Sequence, residues 1–141
     1  MSFKKVDHVA IAVPDLEQSI QLYQSLLGKA PEHIEEVAEQ KVKAAFFGVG
    51  ETNLELLFPT SPESPISNFL QKNPKGGLHH ICLSVDDIEA HLEVLKKQGV
   101  QLIDPEPRMG AHGKRIAFVH PKSTGGVLIE LSQPIEEDSS H

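Results

Sequence analysis

Large apolar side chains fall on every second position in two stretches of this chain, and each time the pattern then changes to a spacing of three and four. In the first stretch Val9, Ile11 and Val13 alternate with His8, Ala10 and Ala12; in the second Ile81, Leu83 and Val85 alternate with His80, Cys82 and Ser84. Alternation of period two predicts a strand with one face packed and one face of different character, over residues 6–13 and 79–85. Helical spacing follows at Leu16, Ile20, Tyr23 and Leu27, and again at Ile88, Leu92 and Leu95. Asp15 and Asp86 stand where an N-cap is expected, Gly28 and Gly99 where a helix closes, and Lys96 and Lys97 suit the negative end of the second helix dipole.

The two stretches are copies of one plan. With a constant offset, His8 falls on His80, Val13 on Val85, Asp15 on Asp87, Leu16 on Ile88, Glu17 on Glu89 and Ile20 on Leu92. Further strands are predicted over 33–38, 42–49 and 53–58 in the first half, and over 101–103, 115–120 and 127–132 in the second. Each half therefore reads βαβββ, an internal repeat of the α+β class. Modules at about 5–59 and 78–134 are expected within a single domain, 1–135. The linker at 60–77 is rich in Pro, Ser and Gly and carries one short helix at about 65–72, where Ile66, Phe69 and Leu70 share a side. The acidic end, 136–141, reads as a frayed tail.

Composition narrows the function. The 141 residues are 39% hydrophobic and 23% charged, ordinary for a globular domain, with a formal net charge of −7. That charge argues against a nucleic-acid or anionic-membrane partner. No apolar run approaches the roughly 18 residues of a transmembrane helix. MSFKKVDHVAIAV is too short and polar for a signal peptide. One cysteine, Cys82, leaves no intramolecular disulfide, and a cytoplasmic location is the default.

The candidate chemistry lies on the small-residue faces. Each half carries one histidine at the head of its first strand, His8 or His80, followed by small residues that suggest a cavity. Each also carries one glutamate inside an apolar last strand: Glu55 in NLELLFP and Glu130 in GVLIELSQP. A glutamate in such a strand is costly unless paired or bound to a metal. Two imidazoles and two carboxylates, with no thiolate, suit Co²⁺, Mn²⁺, Ni²⁺, Fe²⁺ or Zn²⁺. By parity His79 faces the helix side and reads as structural or supporting. His33 and His91 read as exposed, His141 as tail. Cys82 reads as an inert small residue lining the cavity. The loop RMGAHGKR, 108–115, is open to two readings: His112, Lys114 and Arg115 hold substrate anions, or the loop is a solvated hairpin. Lys72, Lys75 and Lys122 are weaker anion candidates.

A duplicated βαβββ unit with His, Glu, His and Glu at these places resembles the vicinal oxygen chelate superfamily. ESPISNFLQKNPKGGLHHICLSVDDI and MGAHGKRIAFVHPKSTGGVLIELSQP resemble the methylmalonyl-CoA epimerase family, and the likeness runs from about residue 5 to 134. The resemblance implies an open, barrel-like mixed sheet with flanking helices. It implies a cobalt-type divalent ion held by His8, His80 and Glu130, with Glu55 at a fourth position, and it implies a homodimer. It implies C2 proton transfer on an acyl-CoA substrate through a metal-stabilised enolate, with Glu130 and Glu55 as the nearest carboxylates for catalysis. One departure is visible: some relatives carry a proton-transfer glutamate where this chain has Ala44. Competing readings are a glyoxalase I-like lactoylglutathione lyase, a ring-cleaving dioxygenase, and a metal-free small-molecule-binding module of the same fold.

Overall fold

The computed structural model describes residues 2–135; the predicted frayed tail lies outside the described residues. By compactness they divide into two units, residues 8–80 and residues 2–7 with 81–135.

In the first unit, β1 (Phe3–Ala12, from His8 on) leads into α1 (Leu16–Leu27), then β2 (His33–Val37), β3 (Val42–Val49), β4 (Thr52–Pro59) and α2 (Pro65–Lys72). Asp15 caps α1 by accepting from the Gln18 N–H, and Gly28 closes it at φ +73°. This is the arrangement the sequence predicts: a carboxylate satisfies a free amide at the helix start, and a residue without Cβ takes the left-handed turn. The ladder order is β2-β3-β4-β1, antiparallel except for the parallel β1–β4 pair. Val13, Leu16, Ala45, Phe47 and Leu56 form its core, with Ile11, Ile20, Tyr23, Leu27, Leu54 and Phe58 packed on it. The large-residue face of the strands thus packs on α1. Burying a side chain such as Phe47 or Leu56 contributes about 1.5–3 kcal/mol each.

The second unit repeats the plan. The later part of β5 (Gly77–Val85) leads to α3 (Ile88–Lys97), then β6 (Arg108–Met109), β7 (Lys114–Val119) and β8 (Ile129–Pro134), ordered β5-β8-β7-β6. Val85, Ile88, Leu92, Ala117, Val119 and Leu131 form the core against α3. Two details depart from the sequence reading. Residues 101–103 form no strand: only Leu102 bridges to Val119, and the edge strand is Arg108–Met109. The N-cap of α3 is Asp87, which accepts from the Ala90 N–H, and not Asp86. Asp86 is engaged elsewhere, accepting from the Ser2 N–H at 2.6 Å and the Ser2 hydroxyl at 2.9 Å. No described helix is long and apolar enough to cross a membrane.

Candidate metal centre

The repeat holds at the level of strand register. In the first unit Glu55 lies between Ala10 on β1 and Phe46 on β3. In the second, Glu130 lies between Cys82 on β5 and Phe118 on β7. The next row on the same faces is Ala12–Leu57–Ala44 in one unit and Ser84–Ser132–Ile116 in the other. Each glutamate is thus flanked by a small residue on one side and a phenylalanine on the other. The small side chains are not open to solvent: Ala10, Ala12 and Cys82 are fully buried. The Cys82 thiol donates to the Ser132 hydroxyl at 3.3 Å. Glu130 is buried at 8% exposure, a place where a carboxylate needs a strong partner.

In the first unit the structure brings together four of the singled-out side chains. His8 Nε2 and His80 Nε2 stand 3.0 Å apart, their rings edge to face. On the far side of His8, Nδ1 lies 3.4 Å from the Glu55 carboxylate. On the far side of His80, Nδ1 lies 2.9 Å from Nδ1 of His79. The His79 ring meets the Phe69 ring of α2 edge-on, centroids 5.3 Å apart. The result is a line of side chains, His79–His80–His8–Glu55.

This geometry fits a bound ion. His8 and His80 would each offer one ring nitrogen to the same divalent ion, and neutral imidazole nitrogen suits such an ion. Their two Nε2 atoms, 3.0 Å apart, are the pair that would do so. If both Nε2 lone pairs were given to an ion, the protons would sit on Nδ1, where His8 would donate to Glu55 and His80 to His79. Sequence parity puts His79 on the helix side of its strand and gives no sign of its contacts with Phe69 of α2 and with the His80 ring.

What sets these positions locally is the Gly76–Gly77 pair. Gly76 has φ +81°, and a Cβ there would lie 2.3 Å from the Ala12 carbonyl oxygen. The chain enters β5 by passing directly against the end of β1, which only glycine allows.

The loop residues are less available than the sequence implies. Lys114 Nζ lies 2.9 Å from the Asp7 carboxylate, and Arg115 lies 3.3 Å from Glu89. Arg108 pairs with Asp104 at 3.1 Å and sits over the Phe118 ring. His112 is exposed at φ +61°. His33 is exposed as expected, whereas His91 is half-buried, its Nε2 3.3 Å from the Ser2 carbonyl oxygen.

Residues 7–118 match the family model described as the Glyoxalase/Bleomycin resistance protein/Dioxygenase superfamily. The chain is 48% identical to the mitochondrial methylmalonyl-CoA epimerase of Dictyostelium discoideum, over 92% of this chain and 78% of that one. It is 44% identical to the ethylmalonyl-CoA/methylmalonyl-CoA epimerase of Cereibacter sphaeroides, over 92% of this chain and 97% of that protein. A Streptomyces coelicolor methylmalonyl-CoA epimerase variant, solved with 2-nitronate-propionyl-CoA, is similar at a TM-score of 0.84 and 35% identity, covering 98% of this chain and 99% of that one.

Proposed function

Because the chain belongs to the glyoxalase/bleomycin resistance/dioxygenase superfamily, and within it to the methylmalonyl-CoA epimerases, we propose that it interconverts (2R)- and (2S)-methylmalonyl-CoA. The observation that carries the reading is the pair of Nε2 atoms of His8 and His80, 3.0 Å apart.

On family resemblance, His8, His80 and Glu130 are the proposed ligands of a divalent ion; Glu55 orients His8 through Nδ1 where it stands, and serves as the fourth donor only on leaving that contact. Cobalt is the ion proposed, because nitrogen and oxygen donors without thiolate suit it; Mn²⁺, Ni²⁺ and Zn²⁺ share that preference. Such an ion supplies Lewis acidity, stabilising negative charge that develops on the thioester oxygen. C2 of the substrate lies between a thioester and a carboxylate, so its proton is already acidic. Glu130 is the proposed base. It is a buried carboxylate between Cys82 and Phe118 in the sheet, and family resemblance gives it the role. Glu55 is the second candidate for proton transfer. His112, Lys114 and Arg115 are proposed to meet the carboxylate or phosphates of the acyl-CoA, Lys114 and Arg115 exchanging Asp7 and Glu89 for substrate anions. A homodimer in the cytoplasm completes the proposal, the dimer on family resemblance and the compartment on a sequence with one cysteine, which leaves no intramolecular disulfide.

A lactoylglutathione lyase fits less well. Glutathione presents two carboxylates, and the chain's two arginines, Arg108 and Arg115, are held by Asp104 and Glu89.

The test is deuterium wash-in at C2. The cobalt-loaded protein in D₂O is expected to exchange C2 and equilibrate the epimers, and His80→Ala to do neither. Metal bound in stoichiometric amount with no exchange from either epimer sinks the epimerase. Absence of stoichiometric metal points instead to the binding module.

A further inference from the structure

Inverting a carbon centre by proton transfer needs two groups: one that removes the proton from one face of C2 and one that returns a proton to the other. On the epimerase reading, on which this inference rests, the second group has to be found among side chains that share a face with His8. Strand register answers that within residues 8–80. On the face that carries His8, Ala10 and Ala12, β4 presents Asn53, Glu55 and Leu57, β3 presents Val42, Ala44 and Phe46, and β2 presents His33, Glu35 and Val37. The carboxylates among those strand residues are Glu55 and Glu35.

Glu35 is built into this face. Its neighbour across the ladder is Ala44, whose own neighbour is Leu57. In the adjoining row His33 faces Phe46, and Phe46 faces Glu55. The His33 ring stacks on Phe46 with centroids 4.4 Å apart and planes 14° from parallel. From that stack its Nε2 reaches the Glu35 carboxylate at 2.8 Å. An aromatic ring thus holds an imidazole, and the imidazole holds a carboxylate, the relation of a base to the group that orients it. Glu35 is one-third exposed, so it can exchange its proton with water, whereas Glu130 is buried. The diagonal from Glu35 to Glu55 passes between Ala44, which is buried, and Phe46. Ladder spacing puts the two Cα atoms roughly 12 Å apart, a span that two glutamate side chains with a carbon centre between them can fill.

We propose that Glu35, oriented by His33, is the proton-transfer residue for one of the two faces of C2. In one direction the C2–H bond breaks, the proton passes to the Glu35 carboxylate, and the electron pair enters the enolate. A carboxylic acid on the opposite face then delivers its proton to C2. In the other direction the roles exchange, and no further reactant is consumed.

The experiment is deuterium wash-in with each epimer separately, on the metal-loaded wild type, Glu35→Gln, Glu35→Asp and His33→Phe. In Glu35→Gln, epimerisation is expected to fall at least about 100-fold, the low end of what a positioned acid or base contributes. One epimer is expected still to take up deuterium with retention, because the opposite base is intact, and the other epimer to exchange no longer. Glu35→Asp keeps the carboxylate and is expected to fall less. His33→Phe keeps the stack and loses the hydrogen bond, and its pH profile is expected to change along with kcat. Wild-type epimerisation in Glu35→Gln overturns the assignment. So does equal loss of exchange from both epimers, in Glu35→Gln or, where that variant does not fold, in Glu35→Asp. A wild type that exchanges neither epimer overturns the epimerase reading itself.

Discussion

His8 and His80, seventy-two residues apart in the chain, approach to 3.0 Å at Nε2. At that distance one ring donates to the other. An ion held by both Nε2 atoms would turn both protons outward, to Glu55 and His79. Metal binding therefore ties together strands from the two ends of residues 8–80, and it adds to folding stability. At an ion concentration about 100 times the dissociation constant the gain is about 2.7 kcal/mol. Thermal melts with and without a chelator are expected to show that difference in the wild type. His80→Ala is expected to melt at one temperature in both conditions and to bind no ion in calorimetric titration. A His80→Ala protein that still takes up one ion per chain contradicts the ligand assignment.

Gly76 and Gly28 separate two effects that a glycine substitution usually mixes. Both lie at positive φ, +81° and +73°, but a Cβ at Gly76 meets the Ala12 carbonyl oxygen at 2.3 Å, while one at Gly28 meets nothing within 4 Å. Gly28→Ala adds backbone strain alone, about 1 kcal/mol. Gly76→Ala adds a collision between two stretches of backbone and is expected to cost about 2–4 kcal/mol. Because Gly76 leads directly to His79 and His80, it is also expected to weaken metal binding. Urea denaturation gives the first quantity and metal titration the second. Equal losses in the two variants contradict the close approach.

Much of this was legible in the chain because the repeat repeats its register. A histidine, two small residues and a glutamate recur in step, and each recurrence lands on the same place in its own ladder, Glu55 by Ala10 and Glu130 by Cys82. Alternation of side chains fixes the face a residue occupies, but it says nothing of what covers that face; the small side chains of Ala10, Ala12 and Cys82 suggest a cavity, and they are fully buried. Two adjacent acids precede Ile88, and local pattern cannot choose between them. Asp86 is drawn off by Ser2, which is distant in sequence, and so Asp87 caps the helix. Gln101 to Ile103 alternate well enough to suggest a strand, yet only Leu102 finds a bridge partner, and Arg108–Met109 take the edge beside β7. The ion pairs of Lys114 with Asp7 and Arg115 with Glu89 are tertiary, and no spacing announces them.

The Ser2–Asp86 contact gives stability a pH dependence with a definite sign. The Ser2 backbone N–H and then its hydroxyl hold the Asp86 pKa below its ordinary value of 3.8. The group is harder to protonate folded than unfolded. Its contribution is therefore complete above the ordinary carboxylate range and is lost as pH falls through the lowered folded value. Denaturation curves from neutral pH downward are expected to show Asp86→Asn less stable than wild type near neutrality, with the gap closing in acid. A gap that stays constant with pH contradicts the shift. Because Asp86 also adjoins His91, 3.8 Å away, the comparison is to be repeated in His91→Gln, where the closing of the gap is expected to persist.

Lys114 and Asp7 set the last expectation. Their 2.9 Å contact is partly buried, with side chains 29% and 12% exposed, so it is not an idle surface pair. If Lys114 leaves Asp7 to meet a substrate anion, the pair opposes binding by the strength of the contact it gives up. Asp7→Asn weakens that competition and is expected to lower KM a few-fold. Lys114→Ala removes the cation and is expected to raise KM about tenfold. In both, kcat should stay within a factor of about three, because a group that binds ground state and transition state alike changes KM and leaves kcat. Arg115→Ala, whose partner Glu89 is far more exposed at 62%, is expected to show the smaller rise in KM. The measurement is steady-state kinetics at two ionic strengths, and the effect of Lys114→Ala should shrink at the higher one. A fall in kcat with KM unchanged would move Lys114 from holding the substrate to acting on its transition state.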